Sequence, residues 1–367
     1  MKVALICPTV GQTRRGYERY VSDLFRFTRD QTDVTLFKGG GQAGPREKVV
    51  PHLTRTGLLN RICGHRFRFR RYQIEFASFA VAVAPSIVSG GYDLVHFIDP
   101  PLVRHLARLR RCSGVPFKLL FSNAGPLSYD ASRWVNHIHC LSPHTYSEAI
   151  QLGISEDRLT LVPAGVDRAA LKRTADRSEL RRRLDVPPGQ FVILAIAPLN
   201  RHHKRVDYLI EEVARLDSPC LLWVDGSIHP DGDPSLIDLG RRLLKDRFRH
   251  THVPSESVAD LYGMADVLVS AATYESFGMA ISEAMGCDLP VVVHDSEHFR
   301  WLVSGRGHLV DMSIPGALTR RLSELMTDRE ALQRVADADA VCRRFGWPEV
   351  ARQHVEMYQK VLGTGST

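Results

Sequence analysis

The stretch VLVSAATYESFGMAISEAMGCDLPVVV, residues 267–293, decides the fold. It opens on an apolar run, VLVSA (267–271), and ends in a second, PVVVHD (290–295). Between them MAISEAMG (279–286) reads as a short helix that stops at Gly286. Strands this apolar leave no face for water, so strand, helix, strand means a buried parallel sheet covered on both sides. TYESFG (273–278) is then a strand-to-helix turn at the carboxyl edge of that sheet. A helix start presents unpaired N–H groups and about half a positive charge, which suits an anion. Gly278 allows a ligand close to the backbone, and the amides of Gly278, Met279 and Ala280 offer a cradle for a phosphate or a sugar hydroxyl. Glu275 lies in the turn. Glu283 stands eight positions on, one turn into the helix, beside Ile281, Ala284 and Met285. An unpaired charge there is costly, whereas a ribose diol would satisfy it, as acidic residues do in dinucleotide folds. A ligand carrying a sugar, a phosphate and a ribose would meet Glu275, the helix start and Glu283 in that order. A glutamate on a solvated helix face explains the spacing equally well, but not the apolar neighbours.

Working outward, the alternation recurs twice. In the first half, strand candidates run over 3–7, 33–37, 94–98, 118–122, 138–142 and 159–163, with amphipathic stretches such as 17–30 and 143–153 between them. In the second half they run over 191–197, 220–226, 251–253, 267–271, 290–295 and 308–311. Two such series predict an α/β fold of two Rossmann-like, doubly wound domains, with ligands outside the carboxyl ends of the strands and a cleft where the domains face. The polar segment after PAGVD (163–167) supplies the linker and the first helix of the second domain, and 348–362 forms a last helix.

At 367 residues, two domains are the natural division. No uninterrupted run of 18 apolar residues is present, which argues against a membrane-spanning helix. MKVALICPTVG is too short in its apolar part for a signal peptide and fits a first strand. Seven scattered cysteines without a CxxC point to reduced thiols in a cytoplasmic protein. The net charge of +7 is uneven: residues 1–165 carry +10 and the remainder −3. The basic excess gathers in 55–73 and 104–111. It has three readings: a solvated face, a peripheral contact with an anionic inner-membrane surface, or a path for an anionic acceptor or nucleic acid. Nucleic acid is not expected as a partner. The alternation in RFRFRR (66–71) is a strand period and argues against a clean amphipathic helix at that point.

E-S-F-G-M-A-x-x-E-A-M-G followed by P-V-V resembles the E-x7-E signature of the retaining family-4 glycosyltransferases of GT-B fold. RRGYERYVSDL (14–24), YDLVHFIDPP (92–101), LVPAGVD (161–167), HKRVDYLIEEVARL (203–216) and 253–271 resemble further pieces in family order. The resemblance implies an N-terminal acceptor domain (1–168), a C-terminal nucleotide-sugar donor domain (169–346), and a helix in 347–367 crossing back to the first. It implies transfer of a sugar from a nucleotide-diphosphate sugar to a hydroxyl on a small-molecule, glycan or lipid-linked acceptor, with retention, no cofactor and no metal. Glu275 would hold the donor sugar and Glu283 the ribose. Ser276, Phe277, Gly278, Met279 and Ala280 would line sugar and diphosphate, and Val253 the base. Lys204, with Arg205, would neutralise the leaving diphosphate. Gly16 would open the first helix to phosphate or acceptor, with Arg15 and Tyr17 on the acceptor side.

The chain departs from the pattern in three places. Ala197, Pro198 and Leu199 replace the usual Gly-Arg-Leu, so the phosphate arginine is missing unless Arg201 or Arg205 substitutes. Asn123 stands where a donor-contacting histidine is expected. It can bond a sugar hydroxyl but carries no proton. Arg15 replaces the first glycine of a pair. The alternatives are another GT-B sugar-nucleotide enzyme, an epimerase or phosphorylase, and a non-catalytic protein that binds nucleotide sugars or anionic lipid. The pairs His137/His139, His202/His203 and His250/His252 lack the carboxylate or cysteine that would complete a metal site.

Overall fold

The computed structural model describes residues 1–13, 16–57, 68–125, 132–228 and 232–363, with 68–70 by backbone alone. Arg15 and Arg66, and the side chains of Arg68 and Arg70, lie outside the described residues. The chain divides into two compact units: Met1–Gly165 with Trp347–Thr367, and Val166–Gly346.

Unit 1 runs β1 (Lys2–Cys7), α1 (Gly16–Thr28), β2 (Asp33–Lys38), β3 (Glu47–Val49), α2 (Arg68–Ser89), β4 (Leu94–Phe97), α3 (Leu102–Ser113), β5 (Lys118–Asn123), β6 (His137–Cys140), α4 (Pro143–Gln151) and β7 (Leu159–Leu161). All pairings are parallel, in the order β3-β2-β1-β4-β5-β6-β7. The apolar runs become strands because both faces are covered: Ile6, Val95, Leu119 and Ile138 are sealed beneath Phe76, Phe79, Val83 and Leu106. One expectation fails here. The RFRFRR alternation does not interrupt helix: residues 68–71 are helical, because Phe76, Phe79, Val83 and Ile87 repeat at helical spacing and seat the whole element on the core. Over Arg71–Ser89 the same helix is also long and apolar enough, by length and composition, to cross a membrane, with 33% of that window buried. Glu75, 1% exposed and paired with Arg55 at 2.6 Å, lies within that window together with Gln73, Ser78 and Ser86.

The C-terminal helix, Trp347–Leu362, belongs to unit 1 and buries Trp347, Val350, Ala351, His354, Met357, Tyr358 and Val361. Gly165 faces Trp347 so closely that an added Cβ would stand 2.3 Å from the indole. A buried polar chain fastens this helix to the sheet. Tyr20 OH donates to His354 Nε2 (2.8 Å), whose Nδ1–H donates to Val350 O (2.8 Å). Tyr358 OH donates to His96 Nδ1 (2.9 Å), and His96 Nε2–H reaches Ser122 Oγ (2.6 Å). Ser122 in turn donates to His139 Nδ1 (2.8 Å), and His139 Nε2–H ends on Val162 O (2.7 Å). These links are complete only with all three rings neutral. Burial accordingly pushes His96 and His354 well below the usual imidazole range and His139 to about 4.

Unit 2 runs α5 (Arg177–Arg183), β8 (Phe191–Ile196), α6 (Val206–Ala214), β9 (Cys220–Asp225), α7 (Ser235–Leu244), β10 (Phe248–Thr251), α8 (Val258–Met264), β11 (Val267–Ser270), α9 (Met279–Gly286), β12 (Val291–His294), α10 (Glu297–Val303), β13 (His308–Val310), α11 (Ala317–Thr327), α12 (Arg329–Gln333) and α13 (Ala338–Phe345). Its strands order β10-β9-β8-β11-β12-β13, again parallel. β10 lies three residues before the expected 251–253, because Phe248 is drawn into the core and Val253 is held by Asp225. In each sheet the winding reverses once, between β1 and β4 and between β8 and β11, and ligands of such sheets bind at that reversal.

Candidate active site

The residues singled out in the second half converge where the winding of unit 2 reverses. β8 leads into the loop carrying Lys204, and β11 into the turn carrying Glu275. The Lys204 ammonium and the Glu275 carboxylate form an ion pair, with side-chain exposures of 18% and 13%. Asn200 shapes the loop beneath them, accepting from the amides of His203 (3.0 Å) and Lys204 (2.7 Å). His203 Nε2 bonds Tyr274 O (2.9 Å) and lies 3.9 Å from the other Glu275 oxygen. The predicted turn and helix form as read. Gly278 sits at φ 101°, ψ 53° before α9, and no side chain caps the helix start, so the first amides of Met279 and Ala280 head the helix beside Glu275. Phe277 anchors the turn: it packs on Trp301 and Phe345, and its carbonyl meets His298 Nε2 at 3.1 Å. Ser276, Met279 and Ala280 are half-buried. Glu283 is 6% exposed, and Tyr262 OH donates to its Oε2 at 3.0 Å. Tyr262 carried no sequence signal, because nothing in the spacing links it to α9.

The arginines are committed elsewhere in the same unit. Arg201 binds Asp233 (2.5 Å), Ser235 (3.2 Å) and Asp207 (3.6 Å). Arg205, in the left-handed region at φ 50°, donates to Met312 O (3.1 Å) and stacks on Tyr208. Lys204 is thus the cation that meets Glu275. The Val253 amide donates to Asp225 Oδ1 (2.9 Å).

In unit 1, Gly16 begins α1 and is exposed. Tyr17 OH donates to Ala124 O, the residue after Asn123, so α1 and the end of β5 come together. Asn123 is 1% exposed. Asp99 follows β4 and lies within the stretch 92–101 that resembles a family piece, but it is not singled out in the sequence. Among the described residues no three His, Cys, Asp or Glu side chains are close enough to hold a metal ion.

Residues 176–339, which include Lys204, Glu275 and Glu283, match the family model described as Glycosyl transferases group 1. A D-inositol 3-phosphate glycosyltransferase of Xylanimonas cellulosilytica is 33% identical over 218 residues, 56% of this chain and 52% of that protein. The GDP-mannose:cellobiosyl-diphosphopolyprenol alpha-mannosyltransferase of Komagataeibacter xylinus is 25% identical over 99% of this chain and 94% of its own. Anabaena HepE, solved in complex with UDP-glucose, superposes with a TM-score of 0.78 at 18% identity, over 98% of this chain and 99% of that one. The chain spans about half the length of the Xylanimonas cellulosilytica protein and of a D-inositol 3-phosphate glycosyltransferase of Kineococcus radiotolerans. The fold is of the GT-B type, an α/β protein of two Rossmann-like units.

Proposed function

We propose that the chain transfers a sugar from a nucleotide-diphosphate sugar to an acceptor hydroxyl, with retention at the anomeric carbon and without a metal. The observation that carries this is the Lys204–Glu275 pair at the head of α9. Breaking the bond between the anomeric carbon and the diphosphate loads negative charge on the leaving oxygen. A fixed cation and the first amides of a helix meet that charge without reorganising. The acceptor oxygen bonds to the same face of the anomeric carbon, and its proton passes to the leaving phosphate oxygen, so no separate base is required. Glu275 takes the sugar hydroxyls, Glu283 the ribose diol, and Asn123 bonds a hydroxyl without moving a proton. The relatives named for GDP-mannose and solved with UDP-glucose make those two donors the first to test.

Nucleotide release from each donor should rise when D-inositol 3-phosphate or a polyprenyl-diphosphate-linked sugar is added. Lys204→Ala should lower turnover by roughly 10²–10³ while donor affinity changes little, because the ammonium acts mainly in the transition state. Equal losses in both would reduce Lys204 to ground-state binding.

Surface features of unit 1 support a peripheral contact with an anionic membrane. Val81 on the outer face of α2 is 74% exposed, and Arg104, Arg108 and Arg111 are exposed on α3, which packs against it. The six cysteines among the described residues are free thiols, in keeping with a cytoplasmic setting.

A further inference from the structure

We propose that Arg177 and Arg329 form a binding site for a phosphate-type oxyanion at the amino edge of the unit 2 sheet. Each is the first residue of its helix, α5 and α12, and both reach Asp266, which stands one residue before β11. Arg177 Nη2 donates to Asp266 Oδ1 at 2.7 Å, and Arg329 Nη1 donates to the same oxygen at 2.9 Å. The other oxygen, Oδ2, accepts from Arg181 Nη2 (2.6 Å) and from the Val192 amide of β8 (2.8 Å). A carboxylate has about four acceptor positions, so Asp266 is saturated and has nothing further to give any of the three.

The three guanidinium groups are not equivalent. Arg181 is closed off: its remaining nitrogens donate to Met264 O (2.9 Å) and Gln190 O (3.0 Å). Arg177 and Arg329 make no other hydrogen bond among the described residues, and their side chains are 38% and 48% exposed. Sharing one oxygen keeps their nitrogens close together. Phe191, the first residue of β8, holds the Arg329 guanidinium over its ring face, 4.2 Å from the centroid. Their remaining N–H groups are therefore gathered in one place before any ligand arrives.

The charges there do not balance. The charged groups that weigh most on Arg177 are Asp266, Arg181 and Arg329, three guanidinium groups with one carboxylate between them. Burial, with Arg181 and Arg329 beside it, pulls Arg177 below the usual arginine range although Asp266 opposes this. The neighbouring carboxylates are engaged elsewhere. Asp176 and Asp328 cap α5 and α12 on the amides of Glu179 (3.0 Å) and Ala331 (2.8 Å). Glu179 pairs with Arg182 and Arg183, and Glu330 with Arg334. A second carboxylate would offset only half of the surplus. A phosphate group, with nearly two negative charges at neutral pH and three acceptor oxygens, matches both the charge and the forked donors. β8 and β11 lead at their carboxyl ends to Lys204 and Glu275, whereas Phe191 and Asp266 mark their amino ends. An anion bound here lies off the path of sugar transfer, so the inference does not rest on the transferase reading.

Isothermal titration calorimetry on the full chain tests the site, with inorganic phosphate and glycerol 3-phosphate at constant ionic strength in chloride. Saturable binding of at least one is expected, weakened about tenfold or more in Arg177→Gln and Arg329→Gln. Arg177→Lys and Arg329→Lys keep the charge and lose the fork, and serve if a glutamine variant does not fold, with weakening again expected. Tighter binding of glycerol 3-phosphate assigns the site to an esterified phosphate, and tighter binding of inorganic phosphate to the free anion. Absence of saturable binding in the wild type overturns the proposal. So does binding that Lys204→Ala removes and the arginine variants leave intact, which places the phosphate at the other edge of the sheet. A lower melting temperature in the arginine variants with phosphate affinity unchanged also overturns it, and makes both arginines clamps for α5 and α12.

Discussion

Glu283 and Lys204 show two ways in which a charge is held. Lys204 is paired in a partly open loop, where its partner can be exchanged for a ligand. Glu283 is almost sealed, with Tyr262 OH on one oxygen. A carboxylate so placed is oriented before any ligand arrives. On the ribose reading, Glu283→Gln should weaken UDP or GDP binding by about 1.5–3 kcal/mol, or roughly ten- to a hundredfold, since a charge-assisted acceptor is lost while packing is kept. Tyr262→Phe should cost less, because the carboxylate remains but is no longer held. Calorimetric Kd values decide this, and an unchanged affinity in folded Glu283→Gln removes the ribose role.

At the scale of the element, α9 depends on its first joint. Gly278 occupies φ 101°, and an added Cβ would stand 2.8 Å from Leu302 Cδ2. Gly278→Ala should therefore destabilise unit 2 by about 1–3 kcal/mol and swing the helix start away from the ligand. Lower melting temperature together with weaker nucleotide binding is the expected result, and a variant that matches the wild type in both would show that the helix start is not part of the site. This turn was legible in the sequence because its parts are contiguous: an apolar strand, a glycine, and a helix whose one charge lies among apolar residues. β3 was not legible, since Glu47, Lys48 and Val49 form a three-residue edge with no apolar run. The start of α2 was misread because the short alternation weighs less than the buried Phe76, Phe79 and Val83 that follow. Tyr262 and the histidines of unit 1 act through partners on distant elements, and pairings at that separation leave no trace in local spacing.

For the molecule as a whole, the buried histidines set a pH limit. Their folded pKa values lie below the unfolded value near 6.5, so as pH falls through 6.5 the unfolded chain takes up protons that the folded chain refuses. Each ring then lowers stability by about 1.4 kcal/mol per pH unit until its own folded pKa is reached, about 4 for His139. Stability should be intact above pH 7 and fall steeply between pH 6.5 and 4, with unit 1 melting first. A melting temperature that is flat from pH 7 to 5 contradicts this. The uneven charge makes a second prediction. Sedimentation with anionic vesicles should decrease as salt rises. Replacing Arg104, Arg108 and Arg111 by Gln should weaken it by about 1 kcal/mol each. Wild type that stays in the supernatant at low salt would leave these arginines as a solvated face.

The return of the chain to unit 1 at Trp347 also sets an order of events during synthesis. Unit 2 is continuous from Val166 to Gly346, so every strand it needs has left the ribosome before the helix that carries Trp347, His354 and Tyr358 emerges. The unit whose strands are made first is therefore the last to close. Until then Tyr20, His96 and Gly165 wait without their partners on that helix, and a chain cut short of Trp347 would yield a finished second unit attached to an open first one.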